Sequence, residues 1–180
     1  GFAGIKIIPD HWYAHEQRLA PFWKRMDACG ARILFHTGIL YGNDDGSRFC
    51  QPVHLEVLQH YPRIRFAMAH ISWPWCEECL AVMGRMRSAA KGDRKAWQSY
   101  VDLTPGTPPH IRKQAVANAV GFCGAERILF GSDDCLPGDL SGQRRTLAAD
   151  RALFRSLRLP RPQTERILGG TAEELFPAQR

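Results

Sequence analysis

The sequence has no apolar run that approaches the ~20 residues of a membrane-spanning helix, and no basic-then-apolar signal segment opens it. It also lacks the polar composition of a disordered chain, since 44% of its 180 residues are hydrophobic and 23% are charged. These absences predict one globular domain over residues 1–180, cytoplasmic and without a membrane partner, with enough apolar residues to bury a core.

A clustered basic block is also missing. The net charge is +6, but the basic residues are scattered and do not alternate with aromatic ones. A nucleic-acid-binding protein needs them concentrated on one face, so we predict no nucleic-acid partner. The positive charge can still attract an anionic small-molecule substrate to the mouth of a site.

Cysteine occurs six times, but without the pattern of a structural zinc site. Cys76 and Cys79 have the C-x-x-C spacing of redox and zinc motifs, and no second pair accompanies them. Nothing marks the chain as secreted. We therefore expect reduced thiols that pack as small apolar side chains.

No initiator methionine precedes Gly1, and the first methionine of the sequence is Met26. We therefore expect this chain to be part of a longer protein, or a processed one.

Strand and helix signals alternate along the sequence. Short apolar runs predict five strands, at residues 4–8, 32–36, 64–70, 99–103 and 127–131. Helical periodicity and helix-start residues predict helices at residues 15–29, 52–61, 74–90, 107–123, 143–157 and 163–168. Thr171 and Glu174 have the capping-box spacing that opens a last short helix. This alternation is typical of an α/β fold with a parallel sheet covered by helices.

Three of the predicted strands end on, or just before, residues that bind metal or transfer protons, namely His36, His70 and Asp133. Polar residues at the carboxyl ends of parallel strands form the active sites of α/β barrels. Imidazole nitrogen and carboxylate oxygen are ordinary ligands of catalytic zinc, which lowers the pKa of its bound water to about 7. We predict that His36 and Asp133 bind a divalent metal such as Zn²⁺, with His70 as a base or electrostatic partner.

The residues around these positions carry a family resemblance. The sequence contains, in order, Gly-Ile-Lys-Ile-Ile-Pro, Leu-Phe-His-Thr-Gly, Ala-His-Ile-Ser-Trp-Pro-Trp, Tyr-Val-Asp-Leu, Arg-Ile-Leu-Phe-Gly-Ser-Asp-Asp and Arg-Ile-Leu-Gly-Gly-Thr-Ala-Glu-Glu-Leu-Phe. Together they resemble the amidohydrolase-related TIM-barrel family. This branch of the amidohydrolase superfamily holds metal-dependent hydrolases and decarboxylases. The resemblance covers almost the whole chain.

The resemblance implies a partial (β/α)8 TIM barrel, whose five parallel strand–helix units correspond to barrel strands 4 to 8. On this mapping His36 is the metal ligand from strand 5. His70 is the strand 6 histidine that assists catalysis. Asp133 is the strand 8 residue that binds metal or accepts a proton from the attacking water. Lys6 falls on strand 4, as a contact to the substrate or to a second metal.

The chain departs from the family pattern at the first strand, where the family carries a His-x-His pair that completes the metal site. No His-x-His occurs here, and strands 1 to 3 are missing. Smaller departures are Ser72, where Gly is common, and Thr171, where the family often has Asn.

A five-stranded arc cannot close as an eight-stranded barrel does, and it leaves an apolar edge strand uncovered. We therefore expect a missing N-terminal segment or a homo-oligomer to cover that edge. We also expect the half-site of His36 and Asp133 to bind metal weakly.

The function that the resemblance implies is that of a metal-dependent hydrolase, or of the C-terminal part of one. Metal-bound water would attack a carbonyl-type carbon of a small molecule. The alternatives are a nonoxidative decarboxylase of the same family and a noncatalytic remnant or assembly module. Tyr41, Trp73 and Trp75 are candidates for the substrate pocket. The loop at residues 37–50 is the candidate specificity element, because it is longer than an ordinary strand–helix connection.

Overall fold

The computed structural model describes residues 2–42, 45–134 and 139–177, so part of the predicted loop at 134–141 lies outside the described residues. One parallel sheet has the strand order β1-β2-β3-β4-β5. The strands are β1 (Ile5–Ile7), β2 (Arg32–Phe35), β3 (Arg65–Met68), β4 (Ser99–Asp102) and β5 (Ile128–Leu129). All five predicted strands are confirmed, although each is shorter than predicted.

Helices connect the strands and follow the last one. They are α1 (Ala20–Ala28), α2 (Cys76–Ala89), α3 (Pro109–Cys123), α4 (Ser141–Ser156), α5 (Arg161–Glu165) and α6 (Thr171–Leu175). Short 3-10 helices include Gln17–Leu19, Gly46–Cys50, Pro52–His60 and Ala125–Arg127, and a π-helical turn covers Arg166–Gly170. In the ranges that the structure describes, no helix is both long and apolar enough to cross a membrane.

The predicted helix at residues 52–61 is present as the 3-10 helix Pro52–His60. Two predicted helix starts are wrong. Thr171 does not cap α6, because the π-helical turn runs directly into that helix and the Thr171 hydroxyl donates to the carbonyl oxygen of Ala125, 3.1 Å away. Thr107 does not open α3, which begins at Pro109, and its hydroxyl donates to the carbonyl oxygen of His70. Both threonine hydroxyls serve tertiary contacts instead of local helix starts.

The cysteines within the described ranges are free thiols. Cys76 and Cys79 lie at the start of α2, and Cys79 is fully buried. Burial raises the pKa of Cys79 to about 12, so the thiol stays protonated near neutral pH. Since the thiolate is the reactive form, Cys79 packs as an apolar side chain.

The two faces of the sheet pack against different partners, because side chains alternate along each strand. The outer face is buried against the helices and carries Ile33, Phe35, Phe66, Met68, Val101 and Ile128. The inner face carries Leu34, Ala67, Tyr100 and Leu129, which pack against Leu175 and Phe176 from the C-terminal end of the chain.

The inner face is apolar near its strand starts and polar near its strand ends. An added Cβ at Gly4 would lie 2.6 Å from the Phe176 ring, so this ring fills the space over the start of β1. Lys6 pairs in register with Leu34, and Asp102 with Leu129, which places both charged residues on the inner face. The polar half of the inner face is therefore the place to look for a site.

β1 is an edge strand of the described sheet, and it exposes apolar side chains there. Ile5 is 41% exposed, and Ile8, just past the strand, is 47% exposed. This agrees with the apolar edge that the sequence predicts.

Phe66→Ala tests the outer-face core. Phe66 is fully buried and meets the Phe35 ring edge to face, with ring centroids 6.1 Å apart. Truncation removes buried apolar area and leaves a cavity, so we expect a loss of about 3–5 kcal/mol in the free energy of unfolding, measured by urea denaturation. Phe22→Ala, at a residue 39% exposed, is the matched control and should cost less than half as much. Equal losses would contradict this assignment of the core.

Candidate active site

The strand ends converge on one cavity of about 220 Å³. His36 directly follows β2, His70 comes two residues after β3, and Asp133 comes four residues after β5. All three line the cavity, together with Thr37, Ile39, Leu40, Tyr41, Trp73, Pro105 and Gly106. The structure thus brings the three predicted site residues together, along with the predicted pocket residues Tyr41 and Trp73.

Trp75 and Lys6 are not among the described residues that line this cavity. Trp75 precedes α2, and its backbone N–H donates to the carbonyl oxygen of Ser72, 2.7 Å away. Lys6 lies on the inner face of the edge strand β1.

His36 is a neutral imidazole at physiological pH. Burial, together with repulsion from His70, lowers its pKa to about 4. Nε2 lies 3.2 Å from the carbonyl oxygen of Ile39. Because a carbonyl only accepts hydrogen bonds, Nε2 carries the ring proton. The lone pair of His36 is therefore on Nδ1, the atom available to a metal ion or a proton.

His70 is held in the opposite tautomer. It is 8% exposed, and its Nδ1 lies 2.9 Å from the carbonyl oxygen of Pro105 and 2.9 Å from Thr104 Oγ1. The contact to the carbonyl requires a proton on Nδ1, so the lone pair of the neutral ring is on Nε2. The rings of His36 and His70 have centroids 5.0 Å apart in an edge-on arrangement.

The backbone at His70 is strained. His70, Ile71 and Ser72 have φ values of 61°, 49° and 55°, the left-handed region. For residues other than glycine this conformation costs about 1–2 kcal/mol each, and for a β-branched residue such as Ile71 it is a true outlier. Such strain persists where surrounding contacts impose it, and it concentrates at functional sites.

Two side-chain hydrogen bonds hold this left-handed turn against the end of β2. The Thr37 hydroxyl donates to the carbonyl oxygen of Ala69, 2.8 Å away. The Ser72 hydroxyl in turn donates to Thr37 Oγ1, also at 2.8 Å. Ser72, where the resembling family commonly has glycine, therefore contributes a bond that glycine cannot make.

Asp133 also has a left-handed backbone, with φ of 55°, and its side chain is exposed. Aspartate tolerates this conformation better than most residues. Asp133 lines the cavity from the loop after β5, whereas the two histidines line it from the loops after β2 and β3.

Asp102 is a site residue that sequence reasoning missed. It ends β4 on the inner face, is 5% exposed, and accepts a hydrogen bond from the Thr104 N–H, 2.6 Å away. Burial raises its pKa, while Thr104, His70 and Lys6 act to lower it. Desolvation likewise lowers the pKa of Lys6, against the attraction of Asp102 and Asp133. Its place near the end of the predicted strand at residues 99–103 is a signal that could have identified it.

The donors around the cavity suit a divalent metal in type but do not complete a site. His36 offers Nδ1, and Asp133 offers a carboxylate. Within residues 2–42, 45–134 and 139–177, however, no three His, Cys, Asp or Glu side chains lie close enough together to hold a metal ion. The described residues therefore supply a partial ligand set.

Comparison with known proteins settles the family. A model of the amidohydrolase family matches residues 1–178 of the sequence. The chain belongs to the amidohydrolase family. No protein with curated annotation matches it.

Solved structures of TIM-barrel proteins share the fold of this chain. An uncharacterized TIM-barrel protein from Bordetella bronchiseptica aligns with a TM-score of 0.63 at 22% identity, over 94% of this chain and 56% of that protein. An amidohydrolase from Burkholderia multivorans with bound zinc aligns with a TM-score of 0.64 at 16% identity, over 98% of this chain and 64% of that protein. A manganese complex of 5-carboxyvanillate decarboxylase from Novosphingobium aromaticivorans aligns with a TM-score of 0.64 at 13% identity, over 99% of this chain and 57% of that protein.

At identities this low, the alignments show a shared fold and no more. That fold is a partial TIM barrel, which confirms what the family resemblance implies. The chain spans between 56% and 64% of the length of these three proteins. Divalent metals occur in two of them.

The low pKa of His36 predicts an acid-dependent loss of stability. Between pH 6.5 and pH 4 the unfolded chain binds a proton at His36 that the folded chain does not, so the free energy of unfolding falls as pH falls through this window. We expect His36→Asn to lose less stability than wild type between pH 7.5 and pH 4.5, in urea denaturation at both pH values. His60→Asn, at an exposed histidine, should follow wild type. An acid dependence unchanged by His36→Asn would refute the assignment.

Gly38→Ala tests the close approach of the β2 and β3 loops. Gly38 has φ of 106°, and an added Cβ would lie 2.5 Å from the carbonyl oxygen of Trp73. That carbonyl accepts a hydrogen bond from the Ile39 N–H. Gly42 also has a positive φ, 85°, with nothing within 4 Å of an added Cβ. We expect Gly42→Ala to cost about 1 kcal/mol in the free energy of unfolding and Gly38→Ala at least twice as much. Similar losses would show that the backbone conformation alone matters.

Proposed function

We propose that this cavity is the active site, or the strand 4 to 8 part of the active site, of a metal-dependent hydrolase that acts on a carbonyl-type bond of a small molecule. One observation carries the proposal. Two imidazoles that contact backbone carbonyls through different ring nitrogens line the same cavity as Asp133. This arrangement provides a metal ligand and proton acceptors within one small volume.

His36 and Asp133 are the ligands in this proposal. His36 suits the role because its low pKa keeps it neutral, and a ligand histidine must be unprotonated. The metal would supply a water molecule whose pKa is lowered to about 7. The remaining ligands would have to come from outside the described residues of this chain or from a second copy of it.

His70 and Asp133 handle protons in this proposal. Asp133 accepts the proton of the attacking water, and Nε2 of His70 offers a second basic atom in the same cavity. Because both groups accept protons, the cavity favours hydrolysis, which begins with deprotonation of water.

The substrate class follows from the size of the cavity, its apolar walls and the net charge of the chain. At about 220 Å³ the cavity is smaller than the ~300–1,000 Å³ of drug-sized ligand pockets, so the substrate or its reacting part is small. Ile39, Leu40 and Trp73 give it apolar walls. The net charge of +6 favours the approach of an anionic substrate.

A nonoxidative decarboxylase is the alternative function. It is supported by the shared fold with the 5-carboxyvanillate decarboxylase structure. A decarboxylase must return a proton to the carbon that loses carbon dioxide, a step that requires His70 or Asp133 in its protonated form.

Turnover assays with added Zn²⁺ or Mn²⁺ test these functions. We expect hydrolysis of compounds in a panel of small lactones and amides, with a loss of about 10²–10⁴-fold in His70→Asn and Asp133→Asn. Asp93→Asn, at an exposed aspartate that precedes β4 and accepts a hydrogen bond from the Lys95 N–H, is the control and should keep full activity. Carbon dioxide release from aromatic carboxylates without hydrolysis would favour the decarboxylase. Turnover of neither panel would support a noncatalytic chain.

A further inference from the structure

The loop that follows β4 wraps directly around the His70 side chain. Its residues Thr104 to Thr107 contact His70 from three sides. These contacts bear on which tautomer the ring adopts and how it is oriented.

Two of these contacts act on the ring. The Pro105 carbonyl oxygen and Thr104 Oγ1 both lie 2.9 Å from Nδ1. The carbonyl has no proton to give, so it fixes the ring proton on Nδ1, and Thr104 must then accept from the same N–H. A histidine in water prefers its proton on Nε2. The loop therefore selects the less favoured tautomer.

Gly106 provides the space that this arrangement needs. A Cβ on Gly106 would lie 2.8 Å from Cβ, 3.0 Å from Cγ and 3.1 Å from Nδ1 of His70. Gly106 has no positive φ, since the positive-φ glycines are Gly30, Gly38, Gly42, Gly92 and Gly124. The backbone conformation therefore does not exclude alanine, and the three atoms nearest to an added Cβ all belong to the His70 side chain.

Thr107 holds the backbone of the same residue. Its hydroxyl donates to the His70 carbonyl oxygen, 3.1 Å away, and the Trp73 N–H donates to that oxygen as well. Thr107 is 6% exposed, so this bond is shielded from water. Ring and backbone of His70 are thus fixed by one short loop.

We propose that Thr104, Gly106 and Thr107 are positioning residues that keep His70 as the Nδ1–H tautomer, with the Nε2 lone pair in the cavity. The catalytic consequence rests on the proposed function, in which Nε2 is a basic atom. The tautomer itself does not depend on that function.

Two-bond ¹H–¹⁵N correlation NMR of the imidazole at pH 8 tests the proposal, because it distinguishes a protonated ring nitrogen from an unprotonated one. In wild type we expect His70 to be mainly Nδ1–H. Thr104→Val removes one acceptor, so the ratio of Nδ1–H to Nε2–H should fall about fivefold, the equivalent of one hydrogen bond. Thr104→Ser keeps the hydroxyl and should restore the wild-type ratio.

Gly106→Ala should displace the ring and shift the His70 resonances. Gly121→Ala is the matched control, since nothing lies within 4 Å of an added Cβ there, and it should leave them in place. If Gly106→Ala does not fold, the Thr104 pair still decides the question. An Nε2–H tautomer in wild type, or a tautomer ratio unchanged in Thr104→Val, overturns the proposal. The measurement needs no substrate, so a chain without activity would refute the proposed function and leave this inference standing.

Discussion

The left-handed turn from His70 to Ser72 is the constraint on which the rest of the site depends. Three consecutive non-glycine residues hold this conformation, at a cost that local sequence cannot offset. The offset comes from the neighbouring strand ends, through Thr37 after β2 and Thr107 after β4. Three loops are therefore mutually dependent, and the cavity they enclose is set by the whole group.

Above the apolar half of the inner face, the structure buries charge that is only partly compensated. Burial raises the pKa of Asp102 and lowers that of Lys6, so each charge is disfavoured by desolvation and supported by the other. Such perturbed groups concentrate at functional sites. Lys6 is also attracted by Asp133, which links the edge strand β1 electrostatically to β4 and the β5 loop.

The sequence predicts the parallel strands and the convergence of His36, His70 and Asp133, because strand periodicity and strand-end position are local signals. It does not predict the conformation of Ile71, since a β-branched residue carries no local preference for positive φ. It also assigns Thr107 and Thr171 to helix starts, where the folded chain uses both hydroxyls in long-range bonds. It does not single out Asp102, because the predicted strand at residues 99–103 ends on Leu103 rather than on a residue that binds metal or transfers protons.

The tautomers of the two histidines bear on the choice between hydrolysis and decarboxylation. Each ring donates a hydrogen bond to a backbone carbonyl oxygen, that of Ile39 for His36 and that of Pro105 for His70. The neutral form of each ring therefore has its lone pair on the other nitrogen. Protonation of His36 is further opposed by burial and by His70. In the proposed function His36 therefore suits the role of metal ligand, and His70, with Asp133, is left to accept the proton of water. The cavity is less suited to protonate the carbon left after carbon dioxide departs, which would require His70 to gain a second proton first.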